Sequence, residues 1–257
     1  GIAGLASYYK ISKKYLTETE KRNIELEQIN ATKNKLFTII AHDLRNPFNS
    51  ILGFAEMLMN DYESFSDSQR LEIIALIDKS SKNTFELLEN LLIWSKIQIE
   101  KIEITQKNFQ LKELISEAIK AYVHVAEKKA ISLDIDIPEN IYVRVDDFTI
   151  KITVANLFSN AIKFTPINGK IKICSTTQND FVEVSIADTG VGIGEHNIAS
   201  LFNSTLNIST SGTSNEKGTG LGLIICREFV EKNGGRIWVT SKIGSGTTFY
   251  FTIPVKS

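Results

Sequence analysis

The residues best suited to chemistry begin at His42-Asp43-Leu44-Arg45-Asn46-Pro47. His42 and Asn46 stand four apart, so on a helix they share a face. Asp43 adjoins the imidazole. A carboxylate that accepts the Nδ1 proton leaves Nε2 as a nucleophile. The stretch therefore holds a nucleophile, a base and a hydrogen-bonding orienter. The bland alternative is an exposed histidine with a chance acidic neighbour. Pro47 weighs against it. Inside a helix its missing N–H and crowding ring cost about 3 kcal/mol, and packing alone gives no reason for a kink there.

A second group is Asn156-Leu157-Phe158-Ser159-Asn160-Ala161-Ile162-Lys163-Phe164-Thr165. Helical spacing puts Asn156, Asn160 and Lys163 on one face. Asparagine oxygens suit a hard cation such as Mg²⁺, and lysine suits phosphate. Leu157, Ala161 and Phe164 can turn to a core. Asparagine is a poor helix former, so two of them mid-helix argue for more than amphipathicity.

Two glycine clusters follow. Asp188-Thr189-Gly190-Val191-Gly192-Ile193 comes directly after a strand pattern. Its glycines let backbone approach a ligand closely, and Asp188 can accept a hydrogen bond from an exocyclic amine such as adenine's. Gly218-Thr219-Gly220-Leu221-Gly222-Leu223 opens a helix, where backbone N–H groups cradle phosphate. It lacks the strand–turn–helix context and the later acidic residue of a dinucleotide signature, and it is not a GxxxxGK[ST] loop. Each cluster alone is weak; both, in this order behind the asparagine helix, are specific.

These groups need elements to position them. Residues 10 to about 60 read as one long helix, with Leu26, Ile29, Lys33, Leu36 and Ile40 as a coiled-coil seam. Asp61–Ser66 is turn-like. Ser66 and Gln69 form a capping box that starts a second helix running to about Lys101, with Leu71, Ile74, Ile77, Phe85, Leu88, Leu91 and Leu92 on its apolar face. The two make an antiparallel hairpin. A hairpin cannot bury its seam alone, and a second copy would supply the partner, giving a homodimeric four-helix bundle. After residue 104 the texture changes. Helices are expected at 111–129, 147–164 and 221–232, the last ending at Asn233-Gly234-Gly235. Strands are expected at 131–137, 141–145, 170–176, 181–187, 236–241 and 247–253. Strands in runs rather than strict βαβ alternation make this half α+β. Residues 203–216, rich in Ser, Thr and Asn, read as a loop.

Composition sets the bounds. The chain has 257 residues, with 29 Lys+Arg against 30 Asp+Glu, so its net charge of −1 argues against general nucleic-acid binding. The length suits two domains or one large one. Cys174 and Cys226 show no metal or disulfide spacing. No apolar run is long enough to span a membrane. Gly1–Tyr9, small and apolar with terminal aromatics, precedes Lys10, Lys13 and Lys14. That suits either the cytoplasmic end of a membrane helix or the start of an ordinary soluble helix. His124 and His196 read as incidental surface residues.

The four motifs in this order resemble the catalytic core of a bacterial sensor histidine kinase. The likeness runs from about residue 30 to the end and includes Gly244-Ser245-Gly246-Thr247-Thr248-Phe249, similar to the family's terminal glycine motif. A weaker likeness is to kinases of Bacteroides-like bacteria, often hybrids. The resemblance implies an all-α dimerisation and histidine-phosphotransfer domain (33–103) after a membrane-proximal linker helix (1–32). An α+β two-layer sandwich ATP-binding domain (104–257) then follows. It implies that His42 takes the γ-phosphoryl group of ATP, Asp43 is its base, and Asn46 orients water when a partner is dephosphorylated. Asn160 would ligate Mg²⁺, with Asn156 and Lys163 near the phosphates and Asp188 on the adenine amine. Phe164, Gly190, Gly192, Gly218, Gly220, Leu221, Gly222 and Thr247 would complete the ATP site, under a lid at about 194–217. The partners implied are a second copy and a response regulator receiver domain, separate or C-terminal in a hybrid. The location implied is the cytoplasmic portion of an inner-membrane protein. Thr205, Thr149 and Ile152 depart from the family's usual Phe, Arg and Gln, which bears on lid closure and ATP affinity. The competing readings are an ATP-binding, weakly catalytic phosphorelay or scaffold module, and an ATPase of the same sandwich superfamily. The latter has no His42 helix.

Overall fold

A computed structural model describes residues 13, 18–20, 22–23, 27, 44–99, 104–198, 201–202, 213 and 222–255. The chain divides into two compact units, residues 1–80 and 81–257. Among the described residues no helix is long and apolar enough to cross a membrane. Gly1–Tyr9 and the seam from Leu26 to Ile40 lie outside the described residues.

In the first unit, α1 covers residues 44–60, with Pro47 in its first described turn. A 3-10 turn, Tyr62–Ser64, leads to α2 (Asp67–Ile99), which belongs to this unit as far as Ser80. The turn is fixed by local chemistry. The expected capping box forms: Ser66 N donates to Gln69 Oε1 at 2.9 Å, and Gln69 N donates to Ser66 Oγ at 3.3 Å. Arg70 reaches back, donating through Nε and Nη2 to the Tyr62 carbonyl at 3.0 and 2.7 Å. Its guanidinium carbon sits 4.1 Å from the centre of the Tyr62 ring.

The second unit contains, in chain order, β1 (Lys107–Gln110), α3 (Leu111–Lys128), β2 (Ser132–Asp136), β3 (Tyr142–Val145), α4 (Asp147–Phe164), β4 (Lys170–Gln178) and β5 (Phe181–Asp188). It continues with α5 (Glu195–Ile198), α6 (Gly222–Lys232), β6 (Ile237–Lys242) and β7 (Gly246–Pro254). Five strands form one sheet in the order β2-β4-β5-β7-β6, and β1 pairs β3 in a separate ribbon. β2 is parallel to β4, and every other neighbouring pair is antiparallel. Strand alternation decides the buried face. Val182, Val184 and Ile186 of β5 and Phe249, Phe251 and Ile253 of β7 point into the core. α4 lays Ile150, Val154, Leu157, Phe158, Ala161 and Ile162 into the same cluster. Burying each of the larger side chains contributes about 2–3 kcal/mol. This is the expected α+β class.

Two elements were not expected. β1, Lys-Asn-Phe-Gln, has one large apolar residue and no alternating run, and it exists because β3 offers it an edge: Lys107 faces Val145 and Gln110 faces Tyr142. α5 is a single turn inside the segment read as lid.

The N-terminus of α4 is tied to the C-terminus of α6. Asp146 caps α4, its Oδ1 accepting from Thr149 N at 3.0 Å. The buried Asn233 amide donates to Thr149 Oγ1 at 2.9 Å and to the Phe229 carbonyl at 2.8 Å, and its oxygen accepts from Asp146 N at 2.9 Å. Thr149, which departs from the family's usual residue, is thus a buried hydroxyl in the cap. α6 ends as its sequence requires: Gly235 N donates to the Val230 carbonyl at 2.9 Å and Gly234 takes φ +84°.

Candidate nucleotide site

The site is built along α4. Leu157 and Ala161 face the core, while Asn156, Asn160 and Lys163 occupy the half-buried opposite face. Phe164 differs from expectation. It is half-buried rather than in the core, and Lys163 Nζ lies 4.8 Å from its ring centre.

A helix leaves its last four carbonyls without internal partners. In α4 each has one. The Ala161 carbonyl accepts from Thr165 N at 3.0 Å and Thr165 Oγ1 at 2.6 Å. The Ile162 carbonyl accepts from Lys129 Nζ at 3.0 Å. The Lys163 carbonyl accepts from Thr213 N and Thr213 Oγ1, both at 3.0 Å. The Phe164 carbonyl accepts from Val191 N at 3.2 Å. The last bond brings the first glycine loop against the asparagine helix. Gly190 is required there, because a Cβ would collide with the Phe164 carbonyl. Gly192, at φ +72°, would meet the Lys242 carbonyl.

Asp188 ends β5 and is buried. Gly190 N donates to its Oδ1 at 2.8 Å and Thr247 N donates to the same oxygen at 3.2 Å. Among the described residues no bond engages Oδ2, the oxygen left to accept from a ligand amine. Burial pushes the carboxyl up to about 6, against the two backbone N–H groups, which pull it down. Thr247 pairs with Asp188 in register, and its hydroxyl lies 2.9 Å from Ser241 Oγ. Gly222 opens α6 against α4, where a Cβ would stand 3.0 Å from Asn156 Oδ1.

The fold thus gathers Asn156, Asn160, Lys163, Phe164, Asp188, Gly190, Gly192, Gly222 and Thr247 around α4 and the end of β5. Gly218, Gly220 and Leu221, with His42 and Asp43, lie outside the described residues. Asn46 is exposed on α1. Phe202, the retained lid phenylalanine, packs edge-on to Phe249 at 6.4 Å between ring centres. His196 is exposed; His124, also exposed, stands 3.5 Å from Glu127. Sequence reasoning missed Lys129 and Thr213. Both act through carbonyls made adjacent only by folding.

The donor set fits Mg²⁺. Among the described residues no cluster of three His, Cys, Asp or Glu side chains forms a cage. Mg²⁺ in nucleotide sites keeps its waters and takes few protein oxygens beside the substrate phosphates. An Asn160 side-chain amide oxygen, with the Lys163 ammonium on the same helix face, fits that pattern.

Residues 146–257 match the family model for histidine kinase-, DNA gyrase B- and HSP90-like ATPases, and residues 32–100 match the His Kinase A (phospho-acceptor) domain. The non-motile and phage-resistance protein of Caulobacter vibrioides is 31% identical over 252 residues, 96% of this chain and 30% of that protein. The chain therefore spans about a third of that relative's length. The solved catalytic domain of histidine kinase ThkA is 36% identical with a TM-score of 0.51, covering 58% of this chain and 95% of that one. The structure of ThkA with response regulator protein TrrA is 29% identical with a TM-score of 0.68, covering 84% and 60%.

Proposed function

Because the chain belongs to the sensor histidine kinase family, we propose that it autophosphorylates His42 from Mg-ATP and passes the phosphoryl group to an aspartate of a response regulator. The observation that carries this is the placing of Asn156, Asn160 and Lys163 along one face of α4 with Asp188 at the end of β5, a charge and donor pattern that fits a nucleotide from adenine to γ-phosphate. The solved kinase–regulator complex supports a receiver domain as partner.

The reaction is in-line transfer, mostly positioning and electrostatics. Asp188 reads the adenine amine, and Lys163 meets the phosphates as a point charge. The glycine-opened α6 offers backbone N–H groups to the same phosphates. Asn160 would hold the Mg²⁺, which would offset phosphate charge when bound. His42 Nε2 attacks the γ-phosphorus, the bond from it to the β–γ bridging oxygen breaks and ADP leaves, while Asp43 holds the Nδ1 proton and stabilises the imidazolium. Asn46, one turn on, orients water when the partner is dephosphorylated. The working protein is a homodimer anchored at a membrane, with this core on the cytoplasmic side.

The test is incubation with γ-labelled ATP and Mg²⁺. Acid-labile label on wild type and none on His42→Gln is expected. Equal label on His42→Gln overturns the assignment. Nucleotide binding without any label points instead to a phosphorelay or scaffold module.

A further inference from the structure

Lys129 and Thr213 join three parts of the second unit at a single point, and neither belongs to the motifs that define the site. Lys129 follows the last residue of α3, where its backbone carbonyl accepts from Asn168 N at 3.0 Å. Its ammonium donates to the Ile162 carbonyl at 3.0 Å, the Lys163 carbonyl at 3.4 Å and Thr213 Oγ1 at 3.1 Å. Thr213 closes the triangle. Its hydroxyl lies 3.0 Å from the Lys163 carbonyl and 3.1 Å from the Thr165 carbonyl, and its N–H donates to the Lys163 carbonyl.

The placement suits a cation. The C-terminal carbonyls of α4 carry the negative end of its dipole, and an ammonium there is favoured. A hydroxyl that accepts from an ammonium and donates to a carbonyl is polarised on both sides, so the bond is charge-assisted. The residue pinned this way lies between the two glycine clusters in sequence. The residues it is pinned to, Lys163 and Thr165, are the end of the nucleotide-facing stretch.

We infer that Lys129 is a positioning residue for nucleotide binding, clasping Thr213 to the last turn of α4 so that Lys163 and Thr213 are held in place before ATP arrives. This rests on the ATP-binding reading above. Ordering in advance removes part of the conformational cost of binding. The clasp therefore acts on affinity and leaves the phosphoryl-transfer step alone.

The test is steady-state autophosphorylation against ATP concentration, with melting temperature measured on each variant. Lys129→Met is expected to raise the KM for ATP about tenfold and Thr213→Val about threefold, as for a lost charge-assisted and a lost neutral hydrogen bond. kcat stays within about twofold of wild type for both, because no group that touches the reacting atoms is changed. The double variant stays within about twofold of Lys129→Met, since one contact is removed twice. Lys129→Arg and Thr213→Ser restore most of the affinity. An unchanged KM in Thr213→Val, or single effects that multiply in the double variant, overturns the clasp. So does a variant that lowers melting temperature and kcat together with KM unmoved. If Lys129→Met fails to fold, the Thr213→Val and Thr213→Ser pair decides. Wild type that binds no ATP at all overturns the underlying reading, and the clasp with it. Wild type that binds, beside variants that bind equally, overturns the clasp alone.

Discussion

α2 and α4 are both helices rich in Leu, Ile and Phe, but they dispose of those residues in opposite ways. α4 buries eight of its residues in its own unit. It is capped by Asp146 at one end and has every last-turn carbonyl engaged at the other. α2 leaves Leu71, Ile74, Phe85, Leu88 and Leu92 exposed. Ile73 and Leu87 are among the few it buries. The difference separates two ways of building a working surface. A helix that must hold small polar groups at fixed places is immobilised by its own fold. A helix whose apolar face is left open needs a second body to cover it, which the homodimer proposed above would supply.

The largest way to break that comparison is chemical. Asn160→Asp puts a carboxylate where a carbonyl oxygen should meet metal and phosphate. We expect labelling from ATP to fall at least about 100-fold with little change in melting temperature. His42→Gln should abolish label equally while leaving nucleotide binding intact. Binding measured by titration and label measured on the same samples separate the two regions. If His42→Gln also loses nucleotide binding, the division of labour is wrong.

A second test compares packing. Phe158 is fully buried in α4 and Leu71 is exposed on α2. Phe158→Ala should cost about 3–5 kcal/mol through the cavity it leaves. Leu71→Ala should shift monomer stability by no more than about 0.5 kcal/mol. Its effect is expected in the dimer, as a melting temperature and sedimentation behaviour that depend more steeply on protein concentration. A concentration-independent loss of several degrees would mean that Leu71 packs within its own chain.

The sequence carried these distinctions unevenly. The helix over residues 147–164 was readable to the residue, because its aspartate cap, apolar spacing and following Thr-Pro are all local signals. The strands with alternating Val and Ile were readable for the same reason. β1 was not, since Lys107–Gln110 is a strand only by virtue of β3. The members of the nucleotide site announced themselves by type and spacing: two asparagines, a lysine, an aspartate at a strand end, clustered glycines. Which backbone groups hold them did not. Lys129 and Thr213 are ordinary residues in the sequence, and nothing local relates residue 129 to residue 163. Thr149 shows the same limit. The sequence marks it only as a departure from the family's usual residue; in the fold it lies buried in the cap that fixes the start of α4.

The finest test concerns Asp188, where the rigid region holds a carboxylate at a cost. Burial raises its pKa from 3.8 to about 6. The native state therefore keeps a proton that the unfolded chain has already lost between those values. Stability from this group is fully present below about pH 4 and is lost as pH rises through about 6. The loss is at most about 3 kcal/mol, from a shift of roughly two units. Asp188→Asn removes the ionisation and should flatten the decline in melting temperature between pH 4 and 7, with little stability lost if the amide keeps the bonds from Gly190 and Thr247. ATP affinity should move the other way. The ionised carboxylate is the better acceptor for an amine, so wild-type affinity should strengthen as pH rises through 6, and the Asn variant should show neither the trend nor the affinity. The exposed apolar face of α2 should give dimer association that is insensitive to pH over the same range. A pH-dependent dimer with a pH-independent nucleotide affinity would reverse the roles of the two regions.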